Sequence, residues 1–253
     1  MEKILVALRV YPGNTKIPTI IYPDKKIELI KESIKQLRAS LSQFQYRIIL
    51  INDGFDEEEV NYILDNTAWD IHAIKNTMGI GNFATFELQI EELLSCCEYH
   101  YVYFAEDDYL YKPDFVEKNL EVLKFADYST GYFHPDYENL LFHKSNLKNK
   151  YGTTTCSFWT TQNILQADKE KLFEYRKLGD IGFWMLITCS LTEIICKLLV
   201  CIKRPSERWL CIFITRTLVY KIFKYPKSKR RILKPTFPST STHAEENYIG
   251  IGW

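Results

Sequence analysis

The sequence predicts an α/β protein: a mostly parallel central sheet flanked by helices, with a helical segment near the C-terminus. Short apolar runs alternate with helical patterns through the first 130 residues, which is the signature of strand–helix–strand units. Three of those runs end in polar or charged residues, and open parallel sheets bind ligands at the carboxyl ends of their strands. Hydrophobic content of 46% lets 253 residues bury a sizeable core.

The elements follow in order. "KILVALRV" reads as a buried strand ending at Arg9 and Tyr11. Ile27, Ile30, Ile34, Leu37, Leu41 and Phe44 recur at steps of three and four, one stripe of an amphipathic helix. Asp24, after Pro23, is its expected N-cap. "YRIILI" is the next strand and runs into Asn52 and Asp53. Residues 57–66 read as a short helix and "WDIHAI" as a strand. Residues 83–97 read as a helix with Phe86, Ile90, Leu93 and Leu94 facing in. "HYVYFA" is a strand ending in Glu106, Asp107 and Asp108. Pro113 and Asp114 open the helix that follows.

From about residue 182 the character changes. "GFWMLITCSLTEIICKLLVCI" is almost long enough to span a bilayer but carries Glu193 and Lys197. "RWLCIFITRTLVYKIF" carries Arg216 and Lys221, and "KYPKSKRRILKP" reads as a basic linker. Two helices are expected, packed into the domain or lying at a membrane interface. The expected organisation is a core over 1–180, a helical segment over 181–235 and a tail over 236–253.

Net charge is zero but unevenly placed. Residues 1–150 hold 24 acids and 16 bases, and residues 151–253 hold 8 and 16. The basic C-terminal part suggests attraction to an anionic membrane surface. Nucleic acid is not expected, because no basic–aromatic binding motif accompanies the charge. Seven cysteines, an odd number with no C-x-x-C pair, read as reduced thiols of a cytosolic protein. The opening apolar run is too short and too soon interrupted for a secretory signal.

Adjacent carboxylates repel, so the run of Glu106, Asp107 and Asp108 needs a cause. A bound cation, backbone amides at a helix start, or solvation would each serve. The order of features bears on the choice. "NDGFD" follows the second strand, the glycine-containing turn "NTMGIGNFATF" opens the long helix, and "EDD" ends the next strand. This ordering resembles the nucleotide-sugar-dependent glycosyltransferases of the GT-A fold, family 2 type, with "NDGFD" in the place of D-D-G-S-x-D and "EDD" in that of D-x-D. The likeness covers roughly residues 1–185 and returns in "PSTSTHAEENYIGIGW". Asn52 stands where the family has an acid, and Phe55 where it has Ser.

The resemblance implies a Rossmann-like sheet, a nucleotide-sugar donor (UDP-sugar favoured), a saccharide or lipid-linked acceptor and a divalent cation, Mn²⁺ or Mg²⁺. A cation bridging the two phosphates would neutralise charge on the leaving group, and such hard cations take oxygen ligands. Asp108 is the expected ligand. Glu106 and Asp107 would hold metal-bound water, ribose hydroxyls or backbone amides. Asp53 would meet the base or ribose, or close an Asx-turn. Arg9, Tyr11, Gly79, Gly81 and Asn82 complete the expected nucleotide site. His243 would complete the metal site from the tail, or else is a surface histidine. Asp180 would take the acceptor's proton, or else caps a helix. His134, Asp136 and Trp159 are candidates for gripping the acceptor. The implied activity is sugar transfer for a surface polysaccharide or glycolipid at the cytosolic membrane face. A nucleotidyltransferase or a non-catalytic membrane-surface protein are the competing readings.

Overall fold

The computed structural model describes residues 2–13, 18–65, 71–133, 157–203, 208–250 and 252–253. The central sheet has seven strands. The run Lys3–Val10 is β1. It pairs in parallel with β2 (Gln45–Asp53) on one side and with β4 (Tyr101–Glu106) on the other. Strand β3 (Ile71–Thr77) extends the sheet in parallel beyond β2. Beyond β4 lie β7 (Phe158–Thr161) and β6 (Tyr128–Thr130), both joined antiparallel, and then β8 (Leu233–Pro235), parallel to β6. A separate two-stranded ribbon pairs β5 (Tyr109–Tyr111) antiparallel with β9 (Ser241–His243). The expected mostly parallel α/β sheet is therefore present.

Alternation along β1 builds both faces. Ile4, Val6, Leu8 and Val10 enter one core, Leu5 and Ala7 the other. The first core is covered by α1 (Lys26–Leu41), α2 (Glu57–Leu64) and α4 (Phe115–Leu123). The second is covered by α3 (Asn82–Ser95), α5 (Gln162–Leu172) and α6 (Tyr175–Thr188). Helix α1 forms through its stripe, since Ile30, Ile34, Leu37 and Leu41 are fully buried. Burying each contributes about 1.5–3 kcal/mol. Capping is not what holds α1. Its N-cap is Lys25, with no side-chain bond, and Asp24 instead sits in the left-handed region at φ 60°. Helix α2 does have the full capping box, between Asp56 and Glu59.

Helix α6 runs across the expected boundary at 180/181. Its Phe183, Trp184, Leu186 and Ile187 pack under the sheet, while Met185 and, just past the helix end, Cys189 pack against α7 (Leu191–Ile202) and α8 (Arg208–Val219). Among the described residues, no helix is long and apolar enough to cross a membrane. The stretch expected as a basic linker is partly core. Arg231 is buried on Asp168 and Asp127, and Leu233 opens β8. Six cysteines are free, and Cys156 lies outside the described residues.

Candidate active site

The carboxyl ends of β1, β2 and β4 meet at a pocket of about 390 Å³ lined by Arg9, Tyr11, Asp53, Gly79, Gly81, Asn82, Glu106, Asp107 and Asp108, among others. Strand β1 lies between β2 and β4, so the chain leaves it in opposite directions and a crevice opens at that point. Every residue expected around the nucleotide lines it. His243 reaches it through Asp108, as described below.

Each acid of the cluster has its own cation, and the three cations come from distant parts of the chain. Arg9 faces Glu106 across the β1–β4 register and donates from Nη2 to Glu106 Oε1 at 2.6 Å. Lys26, in the first turn of α1, donates from Nζ to Asp107 Oδ1 at 2.8 Å. The Tyr11 amide donates to Asp107 Oδ2 at 2.9 Å. His243 Nε2 lies 3.2 Å from Asp108 Oδ2. Strand β9 sets that contact by pairing His243 with Tyr109, next to Asp108, and the Ala244 amide donates to the Asp108 carbonyl at 2.7 Å. Paired charges, supplemented by backbone amides on Asp107 and Asp108, are how the chain tolerates three consecutive carboxylates.

The charges perturb one another. Burial pushes the Glu106 carboxyl up, against the pull of Arg9, and the nearby charges of Asp108 and Asp180 push it the same way. Burial also raises Asp107, against Lys26. Burial opposes charge on Asp108, but the His243 imidazole and then Lys26 outweigh it and hold Asp108 well below the usual carboxylate range. For His243, burial disfavours the cation, but Asp108 prevails and the imidazole is raised to about 9. Burial likewise opposes charge on Lys26, and Asp107, Asp108 and Glu106 outweigh it, so its ammonium is raised.

Asp53 serves the glycine turn. Its Oδ1 accepts from Thr77 Oγ1 at 2.6 Å and from the Ile80 amide at 2.7 Å, and its Oδ2 from the Gly81 amide at 2.9 Å. The Asx-type closure of the "NDG" turn belongs instead to Asn52, whose Oδ1 accepts the Phe55 amide at 3.0 Å. Gly79 and Gly81 have φ of 69° and 85°, with nothing within 4 Å of an added Cβ. The backbone conformation, not lack of room, demands glycine there. Arg9 is buried, and its Nη1 donates to the carbonyl and side-chain oxygens of Asn82, which ties this turn to Glu106. Tyr11 is exposed at the rim.

The remaining candidates separate. Asp180 follows Gly179, whose φ of 64° kinks α6, and stands near enough to Glu106 to act on its charge, though it is not among the pocket-lining residues. Trp159 is fully buried and stacks on Tyr103 at 4.5 Å, so it is core and not a sugar platform. His134 and Asp136 lie outside the described residues. Sequence reasoning missed Lys26. Its only sequence signal is its place at the start of the α1 stripe, and a lysine there is ordinarily a solvated surface residue.

Asp108 and His243 are the side chains that would hold a divalent cation, once the imidazole has released the proton it shares with Asp108. Ligand atoms on adjacent vertices of an octahedron with bonds of about 2.1 Å stand about 3 Å apart, and Asp108 Oδ2 and His243 Nε2 are separated by 3.2 Å. Among the described residues no group of three or more His, Cys, Asp or Glu side chains converges as a metal site. A cation here would draw the rest of its shell from ligand phosphates and water, as Mg²⁺ sites commonly do.

No protein-family model matches the sequence, and no curated protein matches it. Solved structures do. A protein assigned as a nucleotide-diphospho-sugar transferase from Desulfovibrio desulfuricans G20 matches over 93% of this chain and 80% of its own, at 12% identity and a TM-score of 0.45. An active-site mutant of LgtC matches over 71% of this chain and 65% of its own, at 10% identity and a TM-score of 0.45. Residues 1–349 of TarS from S. aureus match over 89% and 73%, at 9% identity and a TM-score of 0.48. Likenesses this distant assign no residue a role.

Proposed function

We propose that this chain is a metal-dependent glycosyltransferase of the GT-A type. It moves a sugar from a nucleotide-sugar donor, UDP-sugar favoured, to a saccharide or lipid-linked acceptor in building a surface polysaccharide or glycolipid. The observation that carries the reading is the meeting of Asp108 and His243 at 3.2 Å beside a pocket that ends three strands. Two ligands from the chain leave coordination positions for a diphosphate, which a closed structural metal site would not.

In this reading Asp108 and a deprotonated His243 would hold Mn²⁺ or Mg²⁺, and the metal would supply Lewis-acid stabilisation of the leaving diphosphate. A neutral imidazole in the set suits Mn²⁺ better than Mg²⁺. Arg9 and Lys26 restrain Glu106 and Asp107, so that Asp108 is the acid left to face the metal. The turn of Gly79, Gly81 and Asn82, braced by Asp53, brings backbone close to the donor. Asp180 takes the proton of the acceptor hydroxyl, and transfer proceeds with inversion.

The test is a thermal-shift comparison of UDP, GDP and CDP with and without Mn²⁺. A ligand that binds only the folded chain raises its midpoint by linkage. Wild type should respond to one nucleotide together with Mn²⁺. Asp108→Ala and His243→Ala should each abolish that joint response while keeping their own cooperative melts. A metal-dependent nucleotide shift that survives in both variants refutes the assignment. Product analysis with the matching nucleotide sugar then separates sugar transfer from nucleotidyl transfer.

A further inference from the structure

Helices α7 and α8 turn apolar side chains outward. Leu191, Ile195, Leu199 and Ile202 fall at i, i+4, i+8 and i+11 on α7, and all four are exposed. The opposite side of α7 supplies the inward contacts, through Ile194 and Cys201. On α8 and the π-helical turn that follows it (Tyr220–Lys224), Ile212, Val219 and Phe223 form a second exposed stripe, with Leu199 56%, Ile212 58% and Phe223 80% accessible. An ordinary surface helix is polar on that face. Single exposed apolar residues need no explanation, but contiguous stripes on neighbouring helices do.

The charges around the stripes say what covers them. Residues 191–234 contain 12 Lys and Arg but only two acids, Glu193 and Glu207. Lys203, Arg216, Lys227 and Lys229 are exposed and make no ion pair with the described residues. Arg216 lies within the second stripe, and Lys227 and Lys229 follow Phe223 closely in the chain. A second copy packed on this same face would set cations against cations. An anionic bilayer offers an apolar interior under a negatively charged surface. Helix α7 rises about 18 Å, and α8 with the turn after it, Arg208–Lys224, at most about 25 Å, both short of the roughly 30 Å hydrocarbon core, so these helices can lie on a membrane but not cross it.

We propose that the α7–α8 hairpin and the turn after it form an interfacial anchor that seats the protein on anionic phospholipid, with the exposed stripes entering the headgroup–acyl boundary and Arg216, Lys227 and Lys229 meeting the headgroups. The inference stands on this face alone and holds whatever the pocket transfers.

Flotation with phosphatidylcholine–phosphatidylserine vesicles tests it, with pure phosphatidylcholine as the control. Wild type should float with the anionic vesicles only, and binding should fall steeply as salt is raised. Replacing Lys227 and Lys229 together by Gln should weaken partitioning on the order of 30-fold, about fivefold for each cation removed. Leu199→Glu with Ile212→Glu, and separately Phe223→Ser, change accessible side chains and should keep the wild-type melt while losing the vesicles. Absence of binding to anionic vesicles at low salt overturns the proposal, as does full binding by both apolar variants. So does a light-scattering dimer that Leu199→Glu with Ile212→Glu dissolves without any vesicle binding, since the face would then be an interface between copies.

Discussion

Lys26→Met removes the charge paired with Asp107 while keeping about the same side-chain length. The Lys26 and Asp107 side chains are each only about a tenth exposed and meet at 2.8 Å. Breaking a buried pair by removing one partner costs about 3–5 kcal/mol, because the other charge stays buried and uncompensated. The remaining exposure and the Tyr11 amide on Asp107 place Lys26→Met near the lower end, about 3 kcal/mol. Asp107→Asn should cost a similar amount by stranding Lys26. With both changes the stranded charge disappears, so the double variant should be well short of the sum, with a coupling of about 2 kcal/mol, within the usual range for contacting residues. Urea denaturation of the four proteins measures this, with the m-value checked for constancy. Additivity within about 0.5 kcal/mol would refute the view that Lys26 neutralises Asp107.

Three further outcomes follow from the geometry. Asp168 is fully buried and holds Lys171 at 2.5 Å and Arg231 at 2.8 Å, so Asp168→Ala should cost about 3–5 kcal/mol in urea denaturation, and a loss below 1 kcal/mol would contradict the network. Asp180→Asn should lower the turnover rate while leaving donor affinity in place, as isothermal titration would show; unchanged turnover moves the base elsewhere. Burial lowers Lys197 to about 8, against the pull of Cys189 and Glu193. Its folded value lies below the unfolded one of about 10.4, so charging it disfavours the fold. Stability should therefore rise with pH between about 8 and 10.4, and Lys197→Met should be more stable than wild type at pH 7 and lose that advantage above this window; an equal pH slope in both proteins would contradict the assignment.

Much of the frame could be read from the sequence because it rests on local periodicity. The bounds of β1 and the stripe of α1 follow from where apolar residues recur, and the three polar strand ends mark the pocket because a parallel sheet gathers its carboxyl ends on one edge. What could not be read lies in pairings across long separations. Nothing near Lys26 signals Asp107, 81 residues away, and only the register of β1 on β4 brings Arg9 to Glu106. Strands β5, β6, β8 and β9 have three residues each, too few for any alternation to show. Trp159 looked available in "TTTCSFW" because a strand that ends at a loop offers no sign of which face is covered; stacking on Tyr103 decides it. The basic stretch from 224 to 235 read as linker because composition does not show that Asp168 waits for Arg231.

The order in which the cations appear along the chain has a consequence for biosynthesis. Arg9 and Lys26 are made before the acids they partner, and His243 is made 135 residues after Asp108. At synthesis rates of about 5–20 residues per second, roughly 7–27 s separate the two. During that interval the nascent chain can already neutralise Glu106 and Asp107 from its own N-terminal part, while Asp108 has only the more distant charge of Lys26 and waits for its imidazole. The fold can thus settle around two-thirds of the acidic cluster, and the last acid gains its partner only when β9 zips onto β5. A chain that stops before residue 241 would carry the sheet's first four strands yet lack the imidazole, so the site is complete only once β9 has been made.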